Sequence, residues 1–492
     1  MKKSVFRTLC LVCVAVMMAA CSNQDDYRQC IPSDVKALCA IDVASIMEKG
    51  GLKDLVKDQS SMNNLSELFS ESGINLQEKV YMFMTGKEDL VCLIRLDSER
   101  KFKKFLKNEF DALIKGEIKS DDGFSYIDDG PVAVVFNDDV AIWSMSQSGA
   151  TGEAMCLRSM NWIKQKREDS FMMNKDFDVI DKEQSDFFAW VSMDVIPAPF
   201  KLTTQMSLPR DVSLDDIHYL ASMRFENGKG IIRSTVLPAT QAAAEMYDRQ
   251  VAMMKPIQGT FLPDKDNPLF FWLGFSVDGR KFCKQLEENP DARQMVEGVT
   301  FGFNIKKLIS SINGDVALGV ALPDSGKQMY PVAIRAKLEN DSILEDMETM
   351  QQMMTMLGVD LKKVENRKYC LKQEAGDFYF GVDRKNHFYY TSDEQLIQPD
   401  NENGRPDWTS EIDKNCLYMR MDVAQGVEMF RQIPDPKLQS LMPVLRLMDT
   451  IVLKSENNKD CTIVLNAINT EENFLKQILR ACITVYGDNQ TN

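Results

Sequence analysis

The sequence predicts an α+β fold built as two tandem homologous domains, each an antiparallel or mixed sheet with helices packed on one face. Three observations predict it. Apolar strand-like runs alternate with amphipathic helical stretches along the chain. Polar turn residues separate neighbouring β-rich runs, which is the hairpin signal. The same order of elements also occurs twice, in residues 33–255 and again in 266–485.

Each copy opens with an apolar strand leading into a helix: Ala37-Leu38-Cys39-Ala40-Ile41-Asp42-Val43, and Leu269 to Val277. A strand and an amphipathic helix follow. In the first copy these are Leu90 to Leu96 and then Phe102, Phe105, Leu106 and Phe110. In the second they are Val332-Ala333-Ile334-Arg335 and then Ile343, Leu344, Met347, Met350 and Met354. A hairpin comes next. It runs Val132 to Phe136, Asn137-Asp138-Asp139, Val140 to Ser144 in one copy, and Phe378 to Val382, Asp383 to Asn386, His387 to Ser392 in the other. Phe187 to Val195 then matches Cys416 to Val423, with Met-Asp-Val shared. The turns Glu226-Asn227-Gly228-Lys229 and Glu456-Asn457-Asn458-Lys459 match as well, before helices at Ala239 to Val251 and Thr470 to Leu479. Residues 256–265 read as the linker, because Pro256 and Pro263 cannot continue a helix or a central strand. Residues 486–492 form a polar tail.

The start of the chain carries an address. Lys2, Lys3 and Arg7 precede an apolar run from Leu9 to Ala20, too short to span a bilayer as a helix, so residues 1–20 read as a secretory signal. Ala19-Ala20-Cys21 is similar to a bacterial lipobox, which makes Cys21 the acylated first residue of the mature chain and residues 21–32 an acidic linker. The formal charge is −15, and the signal holds three cations and no acid, so the mature part is more acidic still. That excludes nucleic acid, whose phosphates need clustered Lys and Arg. It also disfavours docking on an anionic membrane face. Membrane attachment is expected through the lipid on Cys21.

Little in the sequence points to chemistry. Cys10 and Cys13 form a CxxC inside the signal, so no redox reading applies. Nine cysteines follow Cys21, an odd number that leaves at least one thiol unpaired. Most lie in strand-like runs as buried thiols; Cys30 with Cys39 is the pair that would form a local disulfide. The two histidines, His218 and His387, fall at non-equivalent places in the copies. No H-E-x-x-H or G-x-S-x-G occurs, so no metal site or cofactor is expected, and the sequence leaves any catalytic residue unknown. Ala321 to Gln328 lacks the residues of a phosphate loop. Asp42, Asp194 and Asp422 follow strands and read as helix N-caps, Asp422 with Gln425 at capping-box spacing. Acidic turns at Asp121-Asp122-Gly123, Asp128-Asp129-Gly130 and Asp264 to Asn267 lack the calcium-loop pattern. Met347, Met350, Met353, Met354 and Met356 read as core packing, as do Trp143, Trp190 and Trp272. Trp408 is the candidate for stacking on a sugar.

The segment Ile31-Pro32-Ser33-Asp34-Val35, with Ala40 to Ile46 and Lys49-Gly50-Gly51, completes a pattern. Together with the lipobox and the two-copy layout it resembles the DUF4836 family of lipoproteins from Gram-negative gut anaerobes. That family has no established activity, so the resemblance implies location and architecture. Ser22-Asn23-Gln24-Asp25-Asp26 is similar to a signal for export to the outer face of the outer membrane. The expected location is therefore the outer membrane, lipid-anchored and exposed on the cell surface, or otherwise on its periplasmic face. Asp341-Ser342-Ile343 and Asp449-Thr450-Ile451 resemble an O-glycosylation triplet of such bacteria. The expected role is non-catalytic binding, scaffolding or assembly, with an envelope protein or a glycan as partner. The alternative is a secreted hydrolase of glycan or peptide using paired carboxylates.

Overall fold

The computed structural model describes residues 26–51, 71–86, 89–109, 116–198, 208–297, 299–300, 303–323, 329–374, 376–397, 404–457 and 459–488. Cys21 and the signal lie outside them. The described parts of residues 1–40 and 64–182 form one compact unit; those of 41–63 and 183–492 form the other. The fold is α+β, and every strand pair of defined register is antiparallel.

The first unit holds β1 (Val35–Ile41), β2 (Val80–Thr85), β3 (Asp89–Arg95), β4 (Lys119–Asp121), β5 (Phe124–Asp129), β6 (Val132–Phe136) and β7 (Val140–Ser146). Their order across the sheet is β4-β5-β6-β7-β3-β2-β1. Coverage goes beyond one face. Val134 and Phe136 pack with Phe102 and Leu106 of the helix Glu99–Glu109. Ala133 and Val135 pack with Met155 and Cys156 of the helix Gly152–Lys164. A strand buried on both faces must be apolar without alternation, which is what Val-Ala-Val-Val-Phe is.

The second unit holds β8 (Phe187–Ser192), β9 (Ile217–Glu226), β10 (Lys229–Pro238), β11 (Phe271–Asp278), the short pair β12 (Val299–Thr300) and β13 (Phe303–Asn304), β14 (Ile312–Val320), β15 (Val332–Leu338), β16 (Leu361–Glu365), β17 (Lys368–Gln373), β18 (Gly376–Val382), β19 (His387–Thr391), β20 (Leu417–Asp422), β21 (Met448–Ser455) and β22 (Asp460–Ala467). Apart from β12 and β13 they form one sheet, β8-β9-β10-β22-β21-β20-β11-β14-β15-β19-β18-β17-β16. The run β16-β17-β18-β19-β15-β14-β11 repeats the connectivity of the first unit's sheet, and β8-β9-β10 that of β20-β21-β22. Residues 183–255 group with the later chain because β10 pairs with β22 from Lys229↔Asn466 to Thr235↔Asp460. The β9–β10 turn needs its glycine. Gly228 has φ +67°, and a Cβ there would stand 2.5 Å from Thr470 Cα.

Two buried carboxylates tie irregular segments to this sheet. Asp186, 3 % exposed, takes the Lys49 ammonium at 2.7 Å, the Ser45 hydroxyl at 2.6 Å and the Phe225 N–H at 2.7 Å. Asp315 accepts the N–H groups of Gln258 at 3.0 Å and Thr260 at 2.8 Å. Residues 256–265 therefore carry no regular element but are fixed, with Phe261 buried among Trp272, Tyr418 and Val452.

Asp42 and Asp422 cap helices as the sequence implies: Ser45 N–H donates to Asp42 at 2.8 Å and Gln425 N–H to Asp422 at 3.0 Å. Asp194 differs. It sits in the 3₁₀ turn Met193–Val195 and accepts from the Ser192 hydroxyl.

Candidate functional site

The helix Glu99–Glu109 has the sequence Glu-Arg-Lys-Phe-Lys-Lys-Phe-Leu-Lys-Asn-Glu. Phe102 and Leu106 are buried, with Phe105 packed beside them. The spacing that turns these inward turns Arg100, Lys103, Lys104 and Lys107 outward along one stripe, since residues three and four apart are neighbours on a helix. The stripe forms a groove of about 430 Å³ with Asn108 and, from β4 and the residues before it, Ile118 and Ser120.

Its electrostatics are one-sided. Lys103 is paired with Glu99 at 2.7 Å. Burial pushes the Glu99 carboxyl up, but the Lys103 ammonium and the Ser125 hydroxyl together hold it below the usual range. Arg100, Lys104 and Lys107 have no carboxylate within ion-pair distance among the described residues. Like charges at this spacing each destabilise a helix by about 0.2–0.5 kcal/mol. The stripe is therefore a local cost that helix formation does not explain. Chemically it offers one guanidinium fork, three ammonium groups and two neutral polar side chains beside Ile118, an arrangement suited to an anion with several oxygens.

Sequence reasoning passed over this groove. The stripe stands in the sequence as Arg-x-x-Lys-Lys-x-x-Lys, masked by a formal charge of −15 over the whole chain. The residues that were singled out occupy other settings. His387 Nδ1 lies 3.2 Å from Asp383 and its ring meets Phe261 edge-on at 5.0 Å. Burial lowers its pKa, outweighing the pull of Asp383, with Arg335 and Lys385 adding to the lowering. His218 packs on Trp190 at 4.7 Å. Trp408 is stacked on Tyr418 at 5.9 Å with the Arg420 guanidinium 5.4 Å from its ring, so its faces are already engaged. Met347 is fully buried and Met350 and Met354 pack beside it, whereas Met353 and Met356 point to solvent. Thr450 is 2 % exposed, which closes that triplet to modification in the folded chain. Part of Ala321 to Gln328 lies outside the described residues.

None of the nine cysteines after Cys21 is joined in a disulfide, Cys30 and Cys39 included. Burial pushes the Cys92 thiol up to about 12, which fits an inert packing residue. Among the described residues no group of three or more His, Cys, Asp or Glu is placed to hold a metal, and no helix is long and apolar enough to cross a membrane.

Two crystal forms of a protein called TP0453 are among the solved structures similar to this chain. Form I is 10% identical and has a TM-score of 0.28, covering 46% of this chain and 86% of its own. Form IV is 9% identical with a TM-score of 0.27, covering 43% and 80%. The DNA polymerase III subunit beta from Pseudomonas aeruginosa is 11% identical with a TM-score of 0.09, covering 71% and 90%. No curated protein matches the chain. The model of the family described as a domain of unknown function, DUF4836, matches residues 27–403, and the chain belongs to that family.

Proposed function

We propose that this chain is a lipid-anchored envelope protein, attached through Cys21, that works by binding and holds an anionic ligand in the Arg100–Lys107 groove. The observation that carries the reading is the cationic stripe beside Asn108 and Ser120, in which Arg100, Lys104 and Lys107 have no carboxylate partner among the described residues, in an otherwise acidic chain. The stripe weakens its own helix, so its retention is best accounted for by an occupant that neutralises it. The two runs of strands with one connectivity support a tandem duplication, residues 33–255 and 266–485, in which one copy has acquired the groove. The lipobox supports anchoring at the outer membrane.

Titration of the mature protein with inorganic pyrophosphate tests the binding. The expected result is saturable binding that weakens with salt, as screening requires, and falls at least about tenfold in the double variant Lys104→Glu with Lys107→Glu. Binding that ignores both salt and the substitutions would refute the groove. Anchoring is tested separately by palmitate labelling in cells, which Cys21→Ala should abolish.

A further inference from the structure

We infer that the anion held by the groove is an acidic polypeptide, which docks by adding one strand to the free edge of β4. This rests on the groove reading above and names its occupant. β4 is the outermost strand of the first unit's sheet, and among the described residues no strand pairs with its other side. The turn Asp122-Gly123 decides which backbone groups are left open. Its two residues have φ of +49° and +80° and lie between the paired Asp121 and Phe124. A two-residue turn of this kind closes with a hydrogen bond between its flanking residues, and hydrogen-bonded pairs alternate along an antiparallel ladder. Asp121 and Lys119 therefore bond to β5. Ser120, and Ile118 before it, turn their N–H and C=O groups outward. Edge strands are ordinarily guarded by charged side chains, but Lys119 lies on the opposite face, paired with Asp128 at 2.7 Å.

The side chains of Ile118 and Ser120 face the helix Glu99–Glu109 and line the groove. An added strand alternates its side chains, so every second one faces that same side, about 6.8 Å apart. Cations four apart on the helix, Arg100 and Lys104 or Lys103 and Lys107, recur about every 6 Å. Carboxylates at alternate positions of the strand therefore meet successive cations while its backbone bonds to Ile118 and Ser120, the mode of strand addition. A small anion would use the cations and leave these backbone groups open. The second unit shows the pairing that the first lacks. Its own edge strand, β16, sends Lys363 to Glu348 of the helix Ile343–Met356. In β4 the two residues turned toward the helix carry no charge, so Arg100, Lys104 and Lys107 take their carboxylates from a further strand.

The test titrates the mature protein with a short peptide that alternates glutamate and threonine. It is compared with two analogues of equal charge, N-methylated at the glutamates or at the threonines, and with pyrophosphate and dextran sulfate. Amide hydrogen exchange at Ile118 and Ser120 is followed in parallel. The plain peptide should bind at least about tenfold tighter than one of the two analogues, which lacks the N–H groups of the bonded edge. It should also slow exchange at Ile118 and Ser120 several-fold, and Lys104→Glu with Lys107→Glu should abolish both effects. Equal binding by all three peptides would overturn the added strand and leave the anion-binding groove standing. So would binding of pyrophosphate without the peptide, or protection of these amides by pyrophosphate or dextran sulfate that equals that by the peptide. Binding of none of the probes would overturn both this inference and the groove.

Discussion

The helices Glu99–Glu109 and Ile343–Met356 hold the same place in two sheets of one connectivity, after β3 and after β15, and they differ in charge. The first carries five basic and two acidic residues; the second carries three acidic residues and no basic one. Their inward faces agree. Phe102 and Leu106 pack with Leu96, Ala141 and Phe136, and Ile343 and Met347 pack with Leu338, Phe388 and Val382. The difference teaches that burial constrains one side of a helix and leaves the other open to change. On the open side the first helix has gathered Arg100, Lys103, Lys104 and Lys107 around a groove. The second has Glu348 paired with Lys363 of β16 at 2.5 Å and Met353 and Met356 in solvent. Function is to be sought where the counterparts diverge.

The largest expected effects test the shared side. Phe102→Ala should destabilise the first unit by about 3–5 kcal/mol, and Met347→Ala the second by about 2–5 kcal/mol, as large-to-small changes at fully buried sites do. Calorimetry with an assignable transition for each unit checks this. A small loss in one and a large loss in the other would break the comparison, since the two side chains would then not be equivalent anchors.

Next is the buried carboxylate Asp186, whose partners Ser45, Lys49 and Phe225 all belong to the second unit. Asp186→Ala strands the Lys49 ammonium and the Phe225 N–H, a loss of roughly 3 kcal/mol. Asp186 also predicts a pH dependence. Burial pushes its carboxyl up, but Lys49, the Ser45 hydroxyl and the Phe225 N–H outweigh this and hold it below the usual range. Its folded pKa is thus under the unfolded value near 3.9. The stabilisation is present above that value and is lost as pH falls through the folded pKa. Urea unfolding between pH 5 and 3 should show a steep loss in the wild type that Asp186→Asn flattens.

A smaller effect sharpens the comparison on the outward side. Lys104→Glu with Lys107→Glu turns the i,i+4 pairs with Arg100 and Lys103 from like to opposite charge while 104 and 107 remain alike, and should stabilise the first unit by about 0.5–1 kcal/mol in the absence of any anion. A functional stripe gives up stability; a purely structural one would lose it on reversal. Lower thermal stability in this variant would count against the groove.

Much of the fold was legible because periodicity reports burial. The hairpin turns at Asn137 to Asp139 and Asp383 to Asn386, the caps at Asp42 and Asp422, and the long amphipathic helices all follow from local spacing. The grouping of residues 183–255 with the later chain was not legible. It depends on β10 meeting β22 across more than two hundred residues, and neither strand's own pattern names its partner. The groove was half legible. The stripe is in the sequence, but the sequence does not say that Asn108, Ile118 and Ser120 close a cavity beside it.

The smallest expected effect concerns His387, which has no counterpart in the first unit's β7, where Val140 begins the strand. Its ring is packed edge-on against Phe261, which anchors residues 256–265, and the Arg335 guanidinium lies 4.5 Å from the other ring. Burial lowers its pKa more than Asp383 raises it, and Arg335 and Lys385 lower it further, so the neutral imidazole is the form the fold accepts. The folded pKa is then below the unfolded value near 6.5. In the interval between them the unfolded chain binds more protons, so stability is complete above about pH 6.5 and declines as pH falls below it. His387→Gln keeps an amide of similar reach with no titration. It should change stability at pH 8 by no more than about 0.5–1 kcal/mol and remove the slope between pH 7 and 5. If the slope survives in His387→Gln, another group produces it, and the packing of His387 on Phe261 is not what couples this part of the molecule to pH.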